Sequence, residues 1–418
     1  MAIVARKKAI LVGVEYSGKN SSVLSSLEEL EQLALTAGMV SVLKLIQKRT
    51  KPDPGFFIGH GKSEEIKGLC IKKNADYVIF NDELTPTQQK NLEGVIPAAI
   101  MDRTRLILNI FAGRAHTQEA KLQVELARTY YHLPRLKNSE TSLSQQTGAI
   151  GVRAGFGEKK LEVDKRKIRD RIASLKKEIL KIKHHREIQR SKRQELPIPV
   201  IAIVGYTNVG KSTLLNKLTG TDSAYADNRL FATLDTTARR VKLPGGKWVI
   251  FVDTVGFINK LPHNLIAAFK STLEEINSSD LILHLMDASD IDYAGKEKIV
   301  ISVLDEIGAG SMPVIGIFNK CDTAEHKNIE RRGCFCISAK TGEGIDKLLS
   351  FIEQKLENDL EYKKISIPLA SLSVVDKIKS VGKILSYKMS SGSAEIEILI
   401  DKKNWGQIKK QLPDISSS

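Results

Sequence analysis

The chain has 418 residues, with 64 Lys and Arg against 49 Asp and Glu, for a net charge of +15. That length exceeds one ordinary domain and can bury several cores. No run approaches the ~20 apolar residues of a membrane-crossing helix and the N-terminus lacks a signal-peptide layout, so neither integral membrane association nor export is expected.

Residues 1–112 alternate apolar runs (Ala9–Val14, Val40–Leu45, Tyr77–Phe80, Ala98–Met101) with helical stretches, a pattern that predicts a small parallel α/β sheet. Two partial phosphate-loop patterns occur here. Gly13–Asn20 has the glycines and the lysine but carries Asn20 in place of a hydroxyl, and Gly61-Lys62-Ser63 lacks its first glycine, with Phe56 in that place. Both are expected to be ordinary loops, with His60 and Lys62 as turn residues.

Residues 113–195 hold the charge. Up to Glu195 there are 36 Lys and Arg against 22 Asp and Glu; from Leu196 onward the counts are 28 and 27. Such asymmetry suits a phosphate-rich partner, although a solvated basic face would carry the same charge. Leu161, Ile168, Ile172, Leu175, Ile179 and Ile182 form an apolar seam at helical spacing, predicting a helix to about Arg193, about 50 Å long at ~1.5 Å per residue. A stripe that narrow needs a partner, and the helix carrying Leu122, Leu126, Tyr130 and Leu133, stopped by Pro134, supplies one. The two predict an antiparallel hairpin whose tip, Arg135–Lys160, is rich in Gly, Ser and Gln.

Residues 196–358 carry the chemistry. The apolar run Val200–Val204 predicts a buried parallel strand, and it leads into Gly205-Tyr206-Thr207-Asn208-Val209-Gly210-Lys211-Ser212, with Thr213 next. Glycines let this backbone curl so that successive N–H groups face phosphate oxygens. Lys211 would reach the β- and γ-phosphates, Ser212 would bind Mg²⁺, and the helix through Leu214, Leu215 and Leu218 would turn its positive end to the same ligand. Asp253-Thr254-Val255-Gly256 ends the strand Trp248–Val252 and would supply a Mg²⁺-side carboxylate and a glycine sensing the γ-phosphate. Asn319-Lys320-Cys321-Asp322 ends the run Val314–Phe318 and fits a guanine-reading motif. The Asp322 carboxylate would accept two hydrogen bonds from guanine N1–H and its amino group; adenine offers no such pair. Ser338-Ala339-Lys340 matches the companion loop that meets the guanine O6. Between these lies Leu230 to Thr237, including Phe231-Ala232-Thr233-Leu234-Asp235, where Thr233 is expected to close on Mg²⁺ when a γ-phosphate is present. Lys211, Thr233 and Gly256 are the expected catalytic contributors, and GTP is the expected substrate.

Two positions leave alternatives open. Phe257 follows the sensing glycine, where many GTPases place a water-orienting glutamine. Either a partner delivers the missing group, or Phe257 packs in the core and another residue substitutes. Asn208 either helps bind a monovalent cation such as K⁺ against the phosphates or bonds within its own loop. The cysteines Cys70, Cys321, Cys334 and Cys336 lack metal-ligand spacing, as suits a reducing cytoplasm. Residues 359–418 predict a small α/β appendage: a strand at Ile365–Pro368, a helix through Leu385, a strand at Ala394–Ile400 and a terminal helix.

With those motifs in place, the chain resembles the HflX family, translation-factor-class GTPases that bind the ribosome. Asp253–Ile258, Leu261-Pro262-His263 and Ala268–Glu275 are similar to the family's stretch after the second G-domain strand, and Asn81–Leu84, Asp102–Leu108 and Lys121–Leu126 to its N-terminal signatures. Two stretches depart: Leu234-Asp235-Thr236-Thr237 lacks the family's proline, and Arg153–Glu162 carries an extra residue, with Phe156 where proline is usual. The resemblance implies that the basic arm lies on ribosomal RNA of the large subunit, with Arg153 and Lys159 as RNA contacts, and a role in splitting stalled or idle ribosomes; a monomer is expected. A ribosome-assembly factor, a signalling GTPase and an RNA remodeller remain as other readings.

Overall fold

The structure is a computed structural model that describes residues 6–16, 23–138, 154–193, 198–220, 230–231, 234, 236–260, 268–269, 273, 276–323, 334–358, 360–368, 375, 378, 382–389, 393–401, 405 and 416–417. Its N-terminal unit runs β1 (Lys7–Tyr16), α1 (Val23–Thr36), β2 (Met39–Arg49), α2 (His60–Lys73), β3 (Tyr77–Phe80), α3 (Pro86–Val95), β4 (Ala99–Asp102) and α4 (Arg103–Arg114). The four strands form one parallel sheet in the order β2-β1-β3-β4. Strand alternation divides β1 between two cores: Ala9 and Leu11 pack with α1 and α4, while Ile10, Val12 and Val14 pack with Ile66 and Leu92 on the other face.

Gly13 lies inside β1, so the first partial phosphate-loop pattern begins as strand and not as loop; residues 17–22 lie outside the described residues. The second is also corrected. His60 and Lys62 open helix α2, because Gly59 takes φ 83° and turns the chain just before it, and Lys62 pairs with Glu65 one turn on at 2.6 Å.

Two helices follow, α5 (Gln118–His132) and α6 (Ala154–Arg193), joined in sequence by a 3₁₀ segment, Leu133–Asn138, and by residues outside the described set. Leu122 and Leu126 share a core with Ile172, Leu175 and Ile179, with Ile168 and Ile182 at its margin, and Arg171 pairs with Glu125 at 2.7 Å. The predicted tip loop is shorter than expected, since residues 133–138 and 154–160 are helical; the sequence from Ala154 to Arg193 contains no proline to stop the helix.

The third unit is a six-stranded sheet, β10-β9-β8-β5-β7-β6, parallel except for its edge strand. Its elements are β5 (Val200–Gly205), α7 (Lys211–Thr219), β6 (Thr237–Lys242), β7 (Trp248–Asp253), β8 (Leu281–Asp287), α8 (Tyr293–Glu306), β9 (Val314–Asn319), β10 (Phe335–Cys336) and α9 (Ile345–Asn358). This is a P-loop GTPase fold, a mostly parallel sheet flanked by helices. Central β5 and β8 are buried almost throughout, as strands covered on both faces must be.

The C-terminal unit is antiparallel, in the order β12-β13-β11-β14, built from β11 (Leu360–Pro368), β12 (Gly382–Met389), β13 (Ser393–Asp401) and β14 (Ser416–Ser417). The helix expected to run through Leu385 is corrected, because Gly382–Met389 pairs along β13 and that cross-strand register outweighs local helical spacing. The terminal helix is seen only at Trp405, and Ser416 and Ser417 pair with β11.

Candidate nucleotide-binding site

The motifs at the carboxyl ends of β5, β7 and β9 meet at one edge of the sheet. Gly205 ends β5 where a side chain would run into the Leu285 carbonyl of β8, and Gly210, at φ 93°, stands where one would strike the Asn319 amide. Asn208 takes the left-handed region at φ 63° and is exposed. The loop then enters α7 at Lys211, leaving its first N–H groups and the positive end of the helix at the loop.

Lys211 is buried, and its ammonium donates to the carbonyls of Gly205 and Tyr206 at 3.1 and 2.7 Å. Burial draws its pKa down to about 8, against the opposing pull of the Asp253 carboxylate. Ser212, half-buried at the next position, donates its hydroxyl to Asp253 Oδ2 at 2.6 Å. A hydroxyl and a buried carboxylate at that spacing are hard oxygen donors of the kind Mg²⁺ takes, so this pair fits that ion. Thr213 follows, half-buried.

After Asp253 the chain is tied down. Thr254 donates to the Ile203 carbonyl at 2.8 Å, and Val255 is buried. Phe257 donates its N–H to the Gly205 carbonyl at 3.1 Å and accepts the Thr207 N–H at 2.8 Å. Gly256 is therefore held against the phosphate loop; a Cβ there would lie 2.9 Å from Thr207 Cγ2 and 3.0 Å from Lys211 Nζ. The Phe257 ring itself is buried in the core, and the Thr207 hydroxyl, also buried, has no hydrogen-bond partner among the described residues.

Asn319 is the hub. Its amide donates to the Val209 carbonyl at 2.8 Å and its oxygen accepts the Ala339 N–H at 2.8 Å, so one buried side chain fixes the phosphate loop, the β9 end and the loop after β10. Cys321 N–H meets the Ile337 carbonyl at 3.1 Å, Ser338 Oγ accepts from Thr341 N at 3.1 Å, and Asp322 and Lys340 are exposed beside them. Lys320, at φ 67°, reaches Asp287 at the end of β8 at 2.6 Å. Asp287 escaped the sequence reading, although an acidic residue closing the apolar run Leu281–Met286 was a usable signal.

Leu230, Phe231 and Leu234 are buried, while Ala232, Thr233, Asp235 and Arg153 lie outside the described residues. Lys159 lies in helix α6, and its side chain is likewise outside the described set.

Four family models match the chain: a GTP-binding GTPase N-terminal region over residues 24–112, a GTP-binding GTPase middle region over 114–193, a 50S ribosome-binding GTPase over 200–320 and an HflX C-terminal domain over 323–417. The GTPase HflX of Caldanaerobacter subterraneus subsp. tengcongensis is 47% identical over 380 residues, 91% of this chain and 88% of that one. The GTPase HflX of Escherichia coli K12 is 36% identical over 417 residues, covering 98% and 97%. Among solved structures, a GTP-binding protein from the archaeon Sulfolobus solfataricus in complex with GDP is 25% identical, with a TM-score of 0.44, over 83% of this chain and 98% of that one. Among the described residues no helix is long and apolar enough to cross a membrane.

Proposed function

Because the chain belongs to the HflX family of GTPases, we propose that it hydrolyses GTP with Mg²⁺ as a switch on the large ribosomal subunit, where it takes apart stalled or idle ribosomes. The observation that carries the nucleotide half of this reading is the Asn319 side chain, bonded at 2.8 Å to both Val209 and Ala339, which brings the phosphate-facing and base-facing motifs to one place. The ribosomal half rests on the family model for 50S ribosome-binding GTPases over residues 200–320 and on the positive surplus of the N-terminal half.

In this reading the N–H groups of Asn208 to Thr213 and the Lys211 ammonium hold the phosphates. Gly256 N–H meets the terminal phosphate, Asp322 selects the base, and Ser338, Ala339 and Lys340 close over it. Ser212, Asp253 and Thr233 hold Mg²⁺, which supplies charge stabilisation to the transferring phosphoryl group. Phe257 cannot orient a water, so turnover by the protein alone is slow and a partner supplies the missing group, an effect worth ~10³–10⁵ in rate. Arg153 and Lys159 on the basic arm contact RNA phosphates, which gives affinity without sequence specificity. Bound GTP favours the ribosome-bound form, and hydrolysis removes that preference. The protein acts in the cytoplasm as a monomer, and Asn208 is the position at which K⁺ would stimulate it.

The deciding experiment is GTP turnover with and without purified large subunits. Turnover should rise at least a hundredfold with subunits and vanish in Lys211→Ala. Nucleotide binding without any rise would defeat the ribosomal half alone, and preference for immature over complete subunits would favour an assembly role.

A further inference from the structure

The side chain of Tyr206, the second residue of the phosphate loop, reaches from the GTPase unit to the N-terminal unit. Its hydroxyl accepts the Asn259 N–H at 2.6 Å and donates to the Glu29 carboxylate on α1. The direction of this chain of bonds is forced, since a carboxylate can only accept and a backbone N–H can only donate. The other Glu29 oxygen takes the guanidinium of Arg103, a residue 2% exposed that also donates to Asn81 Oδ1 at 2.9 Å. Asn81 in turn donates to Ser26 on α1 at 2.9 Å, so Glu29 is held by its own helix and by the ends of β3 and β4. The neighbouring Asp82 pairs with Lys260.

These contacts hold the segment that follows Gly256: Phe257 is bonded twice to the phosphate-loop backbone, and further on Asn259 and Lys260 are tied to Tyr206 and Asp82. The same N-terminal unit touches the segment before Thr233, where Thr36 Oγ1 accepts the Leu230 N–H at 3.2 Å and Phe111 meets Phe231 edge-on at 4.6 Å. Burial and the adjacent Glu29 raise the Tyr206 pKa, which keeps its hydroxyl a donor at any working pH.

We propose that Glu29 is a positioning residue of the GTPase reaction: through the Tyr206 hydroxyl it fixes the segment after Gly256 against the phosphate loop, so that recognition of the terminal phosphate of GTP depends on the N-terminal sheet unit. GDP lacks that phosphate and does not engage Gly256. The signature is therefore a change in discrimination between the two nucleotides, beyond any general loss of binding. The inference rests on residues 205–212 being the phosphate loop.

Tyr206→Phe is the cleanest probe, because it deletes one hydroxyl and leaves both the Glu29–Arg103 pair and the ring contact with Lys296, 5.1 Å away, in place. Affinities for a non-hydrolysable GTP analogue and for GDP should be measured with kcat and KM, alongside thermal unfolding. The ratio of analogue to GDP affinity and the value of kcat should each fall about tenfold, the loss expected when a buried donor and acceptor are left unpaired. Glu29→Gln, which keeps shape and an acceptor oxygen, should shift the ratio the same way by a smaller factor and add nothing in the Tyr206→Phe background. An unchanged ratio, an equal fall in both affinities, or undiminished addition of the two effects would overturn the proposal. Wild-type protein that bound neither nucleotide would overturn the phosphate-loop reading and this inference with it.

Discussion

Ser212 Oγ donates to Asp253 Oδ2 at 2.6 Å, across 41 residues of sequence, joining the first turn of the helix after the phosphate loop to the end of β7. Neither oxygen alone would hold a divalent ion tightly; in the proposed reading the two together would form one edge of a site for Mg²⁺. Ser212→Ala should therefore weaken GTP binding at least tenfold when Mg²⁺ is present and change it less than twofold in excess chelator. A loss of equal size in both conditions would assign Ser212 to the fold and not to the ion.

Gly256 has no room for a methyl group. A Cβ would sit 2.9 Å from Thr207 Cγ2 and 3.0 Å from both Lys211 Nζ and Thr207 Cα, and backbone cannot yield as a long side chain can. In Gly256→Ala the segment must move away from the phosphate loop. Hydrolysis should fall at least tenfold while GDP affinity stays within about threefold, a difference that single-turnover kinetics and nucleotide titration would expose. Wild-type hydrolysis in this variant would mean that the close approach plays no part in turnover.

The ends of β5, β7 and β9 were legible because each apolar run stops at a short motif whose residue types answer to one ligand, and such signals are local. The Asn319 hub follows from the same motifs once the strands are parallel. The Glu29–Tyr206 bond had no local signature, since Glu29 sits on an amphipathic helix among other acids and its partner lies 177 residues away. Strand β12 was missed for a related reason: Gly382–Met389 becomes a strand by pairing with β13, and nothing within the segment announces that partner. The start of α2 turned on a single backbone angle, φ 83° at Gly59, which composition does not specify.

Lys211 gives the site a pH signature. Burial sets its pKa at about 8, below the ordinary value of 10.5. The folded protein therefore holds fewer protons than the unfolded chain between those values, and stability must rise with pH across that window. The full span corresponds to roughly 3 kcal/mol for a shift of about 2.5 units. Unfolding of the nucleotide-free protein from pH 7.5 to 10 should show this rise, and Lys211→Met should lack it. Phosphate binding favours the charged amine, so nucleotide titrations at pH 9 in buffers of different ionisation heat should reveal uptake of about one proton. Equal heats in all buffers would refute it.

His284 predicts the opposite limb. It lies buried in the middle of β8, and burial draws its pKa down to about 4, with nearby Glu297 opposing. Between about 4 and the ordinary 6.5 the unfolded chain holds the extra proton, so stability falls as pH drops through that window. His284→Asn should flatten the acid side of the stability profile by a few kcal/mol between pH 6.5 and 4.5 while leaving the alkaline rise from Lys211 intact. An unchanged acid limb would show that other groups govern acid unfolding.

Base choice is the sharpest test of the proposed site, because the residue expected to select and the residue that builds are separate. Asp322 is exposed at the rim, whereas Asn319 is buried and bonded to Val209 and Ala339. A carboxylate at 322 would accept from the guanine amino group. An amide there offers a donor, which suits the 2-carbonyl of xanthine. Asp322→Asn should weaken GTP binding at least a hundredfold and turn preference toward xanthosine triphosphate, with thermal stability unchanged because none of the Asn319 bonds involves residue 322. Asn319→Ala should instead weaken both nucleotides and lower stability, since it leaves the Val209 carbonyl and the Ala339 N–H unpaired in a buried place. A variant at 322 that still preferred GTP would mean that the base is read elsewhere, and the alignment of β9 with the phosphate loop would then need another explanation.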